Sequence, residues 1–406
     1  MLTQAFRREA RRDGEIRDMP PLYDPALRRD TPLARKLIAR IGRDGPIDTY
    51  DYMDACLNDP EYGYYRTRIA IGRDGDFITA PEISQVFGEL IGLWCAVVWQ
   101  QMGSPQKVNL IELGAGRGTL LADALRALRL VPGFRAAVSV HVLDSNPVLI
   151  DLQRKALAKC GVPVAWYGTT DALPSDAASI WVGNEFLDAV PAHQRERRKG
   201  LWYVRAIGLD SAGRLAFVTE PNIEFAFSDD DVPGLPIQHS ALNGDIRAMA
   251  TYEFHILHAM RVRSALAPSA ALFIDYGYAG AGRIDTLQAV RGHRPEHVLT
   301  SPGEADLSCL VSFDELAHDA RLPLNPRYSC GINFTTDGPV TQSEFLGQLG
   351  IVERASKLMA ANPAKANEIE MGVARLMAPQ GMGTRFLALG VRSPGLPPLP
   401  GFAMPK

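Results

Sequence analysis

Two patterns of apolar and polar residues follow one another along the chain, and each predicts a different kind of structure. Residues 31–105 place apolar side chains at helical spacing, beginning with TPLARKLIARIGRDG, which has a Thr-Pro helix start and a Gly stop. From residue 106 onward, strand-like runs such as VNLIEL and SIWVGNEF alternate with helical runs such as GTLLADALRALRL. Strands that alternate with helices are typical of a parallel sheet, so we predict an α/β fold preceded by a helical cap.

The same patterns predict how the chain is organised. Charged stretches (RERRKG and SDDDVPG) and hairpin-like alternation in LWYVRAIGLD and RLAFVTE interrupt the α/β rhythm, and a Pro-rich run, SPGLPPLPGF, predicts an extended end. The predicted segments are a mobile arm (1–30), a helical cap (31–105), a Rossmann-like core (106–194), an inserted β and loop region (195–250), and the remainder of the core with a C-terminal extension (251–406).

The composition favours a globular protein and argues against several classes of function. With 406 residues, of which 46% are hydrophobic and 22% charged, the chain can bury a sizeable core. A formal net charge of −3 provides no general basic field for nucleic acid, and no apolar run approaches the ~18–20 residues that span a bilayer. We therefore predict neither a nucleic-acid partner nor a membrane span.

Cysteine usage and the first residues indicate the compartment. The five cysteines are odd in number and have no CxxC pair, which argues against a disulfide framework and a structural zinc site. The Arg-rich start MLTQAFRREARRDGEIRDM carries acidic residues and no apolar segment, unlike a secretory signal or a transit peptide. We expect a reducing compartment, namely the bacterial cytoplasm or, as the alternative, the mitochondrial matrix.

The strongest local signal is LIELGAGRGTLLADAL (110–125), which places Gly114, Gly116 and Gly118 between a strand and a helix. Glycine lets the backbone approach a ligand without a Cβ atom, and the amides of a helix N-terminus face an anion. The G-x-G-x-G spacing differs from the dinucleotide fingerprint G-x-G-x-x-G in the position of its third glycine. The turn, including Ala115, therefore predicts a cofactor site and weakens a dinucleotide interpretation without excluding it.

Acidic residues follow successive predicted strands. Glu112 ends the first strand, where its carboxylate meets a ligand ammonium group while helix amides receive the ligand's own carboxylate. Asp144, after the second strand, is placed to accept hydrogen bonds from both ribose hydroxyls, and Thr170 with Asp171 follow the third strand, where adenine would lie. Each acid alone has an ordinary explanation as a solvated strand end. The ordered series on consecutive βαβ units predicts S-adenosylmethionine, which carries all of these groups.

Further stretches lie on both sides of the glycine turn: DPEYGYY (59–65), GDFITAPEISQVFGELIG (75–92), ELGAGRGTL (112–120), NEFLDAVPAHQ (184–194), IDYG (274–277), PGEADLS (302–308) and LALG (387–390). With them, the chain resembles the MidA-type methyltransferases from about Thr31 to Phe402. This family includes a mitochondrial complex I assembly factor with protein-arginine methyltransferase activity. The resemblance implies S-adenosylmethionine contacts at the three glycines and Asp144. It also implies that GDFITAPEIS lies over the same pocket, so that Phe77 and Thr79 close over the cofactor, although an ordinary turn in a helical cap would use similar residues.

The NEFLDA stretch follows the fourth predicted strand, which in a doubly wound sheet ends beside the reactive end of the cofactor. Asn184, Glu185 and Asp188 are therefore predicted catalytic residues beside a cationic acceptor, whose charge carboxylates bind and localise. The alternative is a helix capped by Asn184, with the two acids complementing its dipole. Glu82 and Ser84 of APEIS are predicted to bind substrate, the alternative being an early-turn acid and a helix-start residue.

Histidines contribute little to this hypothesis. His255 and His258 form H-x-x-H on a predicted helix without a third nearby ligand, so we predict no metal site. His193 precedes QRERRKG and is predicted to lie in a solvated loop.

Together these observations predict an S-adenosylmethionine-dependent methyltransferase. The resemblance implies a protein-arginine N-methyltransferase that acts on a respiratory complex I subunit, such as the 49-kDa-type subunit, or on its bacterial counterpart. The inserted region (195–250) then lies on the substrate side. A small-molecule methyltransferase and a cofactor-binding assembly chaperone without turnover stay open as alternatives.

Overall fold

The computed structural model of the protein describes residues 24–67, 78–199, 201–219, 244–250, 253–280, 285–322 and 332–402, so most of the predicted arm and Phe77 lie outside it. The strands are β1 Ile47–Asp48, β2 Val108–Leu113, β3 Val138–Leu143, β4 Val164–Tyr167, β5 Ala178–Asn184, β6 Ala192–Arg198, β7 Leu201–Leu209, β8 Leu215–Thr219, β9 Ile246–Ala250, β10 Ser269–Tyr278, β11 Leu287–Arg291, β12 Arg294–Glu296, β13 Asp306–Cys309, β14 Val311–Ser312, β15 Thr335–Thr341 and β16 Phe386–Arg392.

The α-helices are α1 Pro32–Asp44, α2 Thr49–Asn58, α3 Tyr64–Thr67, α4 Ala80–Ile83, α5 Gln85–Gln101, α6 Thr119–Ala127, α7 Pro132–Ala137, α8 Pro147–Leu157, α9 His258–Ser264, α10 Phe313–Arg321, α11 Gln342–Gln348, α12 Ile351–Ala361 and α13 Ala366–Met377. Single 3₁₀ turns cover Pro25–Leu27, Leu128–Leu130, Thr170–Ala172 and Pro363–Lys365, and a π-helical turn, Glu253–Leu257, leads into α9. Among the described helices, none is both long and apolar enough to cross a bilayer.

The start and stop signals that predict helix α1 are confirmed in the structure. The Thr31 hydroxyl accepts a hydrogen bond from the Ala34 amide at 3.0 Å, Pro32 occupies the first helical position, and Gly45 ends the helix at φ +91°. A side-chain cap, a preset proline φ and a left-handed glycine are the local devices that begin and end helices. The sequence therefore determines both ends of α1.

The largest sheet has eight strands in the order β15-β16-β10-β5-β2-β3-β4, with β14 paired to β10. Strands β10, β5, β2, β3 and β4 are parallel to one another, whereas β16 and β15 are antiparallel. All six residues of β2 are buried, because helices cover both faces of the sheet. The predicted α/β class is confirmed, and the carboxyl ends of the parallel strands meet at one edge.

Helices α5 and α6 pack unusually closely on one face of this sheet. A Cβ atom added to Gly92 of α5 would lie 2.7 Å from the Ala124 Cα atom of α6, so the contact requires glycine. Nearby, the buried Glu89 carboxylate pairs with Arg126 at 3.2 Å and with Arg354 at 2.7 Å, which ties α5 to α6 and α12. The Pro-rich end covers the outer side of α5, where the Trp94 indole donates to the Pro400 carbonyl at 3.1 Å.

A second, antiparallel sheet (β1-β7-β6-β9, with β8 on β7) and a three-stranded sheet (β12-β11-β13) share a separate core with α1 and α2. The predicted hairpin in this region is confirmed as β7 and β8. The first four residues of RERRKG belong to β6. Ala192 and Gln194 are buried on one face of this strand, and Arg195 and Arg197 lie on the other face.

His193 also lies in β6, and its predicted place in a solvated loop is wrong. Its ring stacks on Tyr50 with ring centroids 4.9 Å apart, and its Nδ1 atom is 2.9 Å from the Asp48 carboxylate. The residue therefore joins the second sheet to α2.

Candidate active site

The glycine turn lies at the carboxyl edge of the parallel sheet, between β2 and α6. Gly114, Gly116 and Gly118 all have left-handed backbones, with φ of +61°, +52° and +83°. A Cβ atom at Gly114 would lie 2.6 Å from the Phe186 ring, and one at Gly118 would lie 3.2 Å from the Gln153 Cα atom. Glycine is thus required twice over, by the backbone angles and by the close neighbours.

Glu112 is the last charged residue before this turn and has an unusual environment. Its side chain is buried, and its Oε2 atom has no hydrogen-bond partner among the described residues. Burial, followed by the nearby Asp144 carboxylate, raises the pKa of Glu112 to about 8. A buried carboxyl group without a partner fits a ligand that brings a positive charge, such as the ammonium group of a bound amino acid.

Asp144 follows β3 and has both oxygens oriented by neighbours. Oδ1 accepts from the Asn146 amide at 2.9 Å, and Oδ2 accepts from the Gln153 side chain at 2.6 Å. Each carboxylate oxygen keeps a further lone pair for a ligand hydroxyl. A cavity of about 280 Å³ adjoins this carboxylate, and its lining includes Gly114, Gly116, Leu143, Asp144, Asn146, Gly168, Glu185, Phe186 and Val190.

The remaining predicted cofactor residues are divided between two places. Thr79 and Ala115 line a narrow cleft with Glu112 and Glu185 that joins the glycine turn to the end of β5. Thr170 and Asp171 lie in a 3₁₀ turn beyond β4. In the described part of the chain, the lining of the larger cavity includes the nearby Gly168 but neither of these two residues. The adenine role of Thr170 and Asp171 stays a prediction, while Phe77 lies outside the described residues.

The chain after β5 forms a tight turn that β10 holds. No helix begins at Asn184, since residues 185–191 are described and have no helical segment, so the alternative of helix capping is wrong. Instead, the Glu185 amide donates to the Ile274 carbonyl at 2.9 Å. The next three amides donate to one oxygen of Asp275, at distances of 3.0 Å (Phe186), 2.8 Å (Leu187) and 3.3 Å (Asp188). We name residues 185–188 the β5 turn.

Three carboxyl groups meet at the β5 turn. Glu185 adopts φ +51°, and its Oε1 atom accepts from the Ala80 amide at 2.7 Å and from the Asn184 side chain at 3.3 Å. Burial raises the pKa of Glu185 to about 7 and that of Asp188 to about 6. Asp275 is fully buried, and burial with the charges of the other two acids raises its pKa well above the usual range. Such a group of acids favours a cation, which relieves their mutual repulsion.

Asp275 and the side chains around Asp188 are functional candidates that the sequence patterns do not predict. Tyr276 hydrogen-bonds Asp188, and its hydroxyl also contacts the Ser308 hydroxyl of β13. Tyr65 approaches the same place from α3, where burial, followed by the nearby Asp306 and Asp188 charges, raises its pKa. The available signal was IDYG, in which an acid follows the apolar run ALFI within one strand.

The two predicted substrate residues of APEIS have different surroundings. Glu82 lies in α4 and accepts a hydrogen bond from the Thr119 hydroxyl at the start of α6, beside the narrow cleft. Ser84 caps α5 by accepting from the Val86 amide at 3.3 Å, as the alternative interpretation holds. A substrate role for either residue stays a prediction. Within the described residues, no group of three or more His, Cys, Asp or Glu side chains is arranged to hold a metal ion.

Comparisons with known proteins decide the class. The sequence model of a family described as S-adenosyl-L-methionine-dependent methyltransferase matches residues 90–326, more than half of the chain. This chain belongs to that methyltransferase family. It is similar to the Xenopus tropicalis protein named "Protein arginine methyltransferase NDUFAF7, mitochondrial", with 32% identity over 91% of this chain and 89% of the relative. The human protein of the same name is 31% identical over 89% of this chain and 84% of its own length.

A solved structure extends the similarity to the fold. A Burkholderia thailandensis protein described as a methyl transferase, with S-adenosyl-homocysteine bound in its crystal structure, covers 95% of this chain and 98% of its own. Its TM-score is 0.76 at 26% sequence identity. The predicted class I, Rossmann-like methyltransferase fold and its MidA-type family are therefore confirmed.

The protein is an S-adenosylmethionine-dependent methyltransferase, and the site fits that cofactor on its own geometry. The unpartnered oxygen of buried Glu112, the crowded glycine turn and the oriented carboxylate of Asp144 offer partners for an ammonium, a carboxylate and a ribose. When bound, the cofactor supplies an electrophilic methyl group on a sulfonium sulfur. The narrow cleft joins the glycine turn to Glu185, the one of the three acids of the β5 turn region that is in its described lining.

Proposed function

We propose that this methyltransferase modifies an arginine side chain of a protein, with Glu185 and Asp188 as catalytic residues. The observation that supports the proposal is the convergence of Glu185, Asp188 and Asp275 at the β5 turn, next to the cleft that reaches the glycine turn. Crowded carboxyl groups whose pKa values are raised favour a cationic acceptor, because a cation stabilises their ionised forms. The relatives named as protein arginine methyltransferases support the same acceptor.

The carboxyl groups act on the acceptor in two ways under this proposal. Glu185 and Asp188 bind different edges of the planar guanidinium, which orients it and concentrates its charge away from one nitrogen. That nitrogen uses its lone pair to form a bond to the methyl carbon as the carbon–sulfur bond breaks, and the electron pair of the broken bond stays on the sulfur of the S-adenosyl-homocysteine product. The nitrogen also gives up one proton. A carboxyl group whose pKa is about 7, as for Glu185, is well matched to take up that proton near neutral pH. Lysine fits less well, because its ammonium must lose its proton before it has a lone pair.

We extend the proposal to the partner. The acceptor is an arginine of a respiratory complex I subunit of the 49-kDa type or of its bacterial counterpart. The inserted region (195–250) supplies substrate-side surface, and the location is the bacterial cytoplasm or the mitochondrial matrix. The support is the likeness to relatives whose names include "mitochondrial", together with the separate antiparallel sheet that the inserted region forms with β1.

The first experiment separates the acceptor role of Glu185 from cofactor binding. Glu185→Gln should lower methyl transfer by more than about tenfold at saturating S-adenosylmethionine, because one carboxylate of a desolvated guanidinium site is lost. Calorimetry with S-adenosyl-homocysteine should show nearly unchanged affinity. Glu353→Gln, an exposed acid on α12, is the matched control and should keep full activity. Full activity of Glu185→Gln would refute the catalytic role.

The second experiment identifies the acceptor. Mass spectrometry of the complex I 49-kDa-type subunit, from cells with and without this protein, should show an arginine methylation that depends on it. Labelled methyl transfer into cell extract separates the alternatives: label on small molecules indicates a small-molecule enzyme, and absence of label indicates an assembly role without turnover. Identical arginine methylation in both strains would reject this substrate and leave the methyltransferase class intact.

A further inference from the structure

Gln153 has a fully buried side chain that joins three parts of the cofactor region. From α8, its amide nitrogen donates to the Gly116 carbonyl at 2.9 Å and to Asp144 Oδ2 at 2.6 Å. Its amide oxygen accepts from the Trp166 indole of β4 at 2.9 Å. Both amide hydrogens and the oxygen are therefore engaged, which fixes the orientation of the group.

We propose that Gln153 is a positioning residue for the cofactor ribose, acting through Asp144 without touching the ligand itself. This inference rests on the assignment of Asp144 to the ribose hydroxyls.

The hydrogen bonds of Asp144 explain how Gln153 can orient its carboxylate. Asp144 Oδ1 is already held by the Asn146 amide, so the Gln153 donor on Oδ2 completes the orientation of the carboxylate plane. The Gly116 carbonyl accepts from the same amide nitrogen, which fixes the donor that meets Asp144. Helix α8 also packs closely on the turn, because a Cβ atom at Gly118 would lie 3.2 Å from the Gln153 Cα atom. A site held in place in advance binds its ligand without the cost of ordering it.

The test uses Gln153→Met, which keeps the length of the side chain and removes its hydrogen bonds. We expect about tenfold weaker binding of S-adenosyl-homocysteine, from the loss of a hydrogen bond to a charged group that contacts the ligand. The 2′,3′-dideoxy analogue has no hydroxyls for Asp144, so Gln153→Met should change its affinity by less than about twofold. The substitution and the missing hydroxyls remove the same interaction, and their effects therefore do not add. At saturating cofactor, methyl-transfer turnover should be nearly unchanged.

The matched control is Gln342→Met. Gln342 is also fully buried, and its amide donates to the Leu376 carbonyl at 2.9 Å, far along the chain from the cofactor residues. Gln342→Met should lower the melting temperature about as much as Gln153→Met does. It should leave the affinities for S-adenosyl-homocysteine and for the dideoxy analogue unchanged. An equal loss of affinity for the two ligands in Gln153→Met would indicate general damage and overturn the positioning role.

Two further variants keep the outcomes distinct. Trp166→Phe removes only the donor to the Gln153 oxygen and should weaken S-adenosyl-homocysteine by about threefold, which provides a test if Gln153→Met does not fold. Asp144→Asn tests the underlying assignment. If Asp144→Asn leaves binding of the parent ligand unchanged, the ribose assignment fails. If it weakens binding while Gln153→Met and Trp166→Phe do not, the assignment stands and only the positioning inference fails.

Discussion

The cofactor end of the site and the β5 turn are both tightly hydrogen-bonded, but they are assembled from the chain in different ways. At the cofactor end, Gln153 reaches Asp144 and Gly116 across 9 and 37 positions of sequence. At the β5 turn, Phe186 and Asp275 are 89 positions apart, and Ala80 and Glu185 are 105 apart. The cofactor end is thus built within neighbouring βαβ units, whereas the β5 turn depends on segments brought together by the whole fold.

This difference indicates how each region should respond to change. A substitution within the glycine turn acts directly on ligand contact, with the surrounding strands still paired. A substitution at Asp275 acts on the backbone of a turn whose four successive amides donate to β10. We therefore expect cofactor binding and acceptor turnover to be separable by mutation.

The largest effect is expected at the cofactor end. Gly116→Val introduces a β-branched side chain at φ +52°, where the backbone should face the ligand. Affinity for S-adenosyl-homocysteine should fall by at least about 100-fold in calorimetry, equivalent to about 2.7 kcal/mol. Gly213→Val is the control, since Gly213 has φ +71° with no atom within 4 Å of a built Cβ and lies in the β7–β8 hairpin. If both variants bind normally, the glycine turn is not the cofactor site.

A smaller but more selective effect is expected at Asp275. Asp275→Asn replaces one carboxylate oxygen with an NH₂ group, which cannot accept a hydrogen bond. This group must face either the three amide donors of the β5 turn or the Tyr276 amide, which is 2.9 Å from Oδ1. Methyl transfer should fall by about ten- to thirtyfold, while affinity for S-adenosyl-homocysteine changes by less than about threefold.

Asp337→Asn tests whether lost stability alone explains the Asp275 result. Asp337 pairs with Arg392 at 2.8 Å in the antiparallel part of the large sheet, so its loss should also lower the melting temperature. The methyl-transfer turnover of Asp337→Asn should stay normal. Equal losses of cofactor affinity and turnover in Asp275→Asn would mean that the two regions are not separable.

The smallest change in affinity is expected with pH, and measuring it tests the assignment of Glu112 to the ligand ammonium group. Its pKa of about 8 means that it is mostly protonated at neutral pH, whereas a ligand ammonium requires the carboxylate. Binding must then release a proton, so affinity rises with pH, by about 20-fold between about pH 6 and about pH 7.5. Glu112→Gln should bind more weakly and lose this slope. A pH-independent affinity of the unmodified protein would exclude the ammonium role.

Sequence alone predicts the strand, glycine turn and helix at the cofactor end well, because their signals are local. The strand VNLIEL, three glycines and the following helix occur in one continuous stretch, and their backbone requirements are met in the fold. The same holds for α1, where Thr31 and Gly45 determine the ends. Such elements require no knowledge of distant contacts.

The β5 turn shows where local reasoning fails. An Asn followed by acids is a common helix start, yet β10 lies parallel to β5 with Ile274 opposite Asn184, and Asp275 then captures the amides that a helix would have used. Nothing near residue 184 indicates that pairing. The charged strand β6 escaped prediction for a related reason: its buried face appears only when the second sheet provides a partner.

The separation between the β5 turn and Asp275 also has a consequence for synthesis of the protein. Residue 275 is translated 89 positions after Phe186, and at cellular elongation rates this interval lasts roughly 4 to 18 seconds. During that time β2, β3, β4 and β5 already exist on the nascent chain, but the partner that fixes Glu185 and Asp188 does not. A ribosome-bound chain therefore carries the complete glycine turn and Asp144 before the β10 residues that hold the β5 turn have been made.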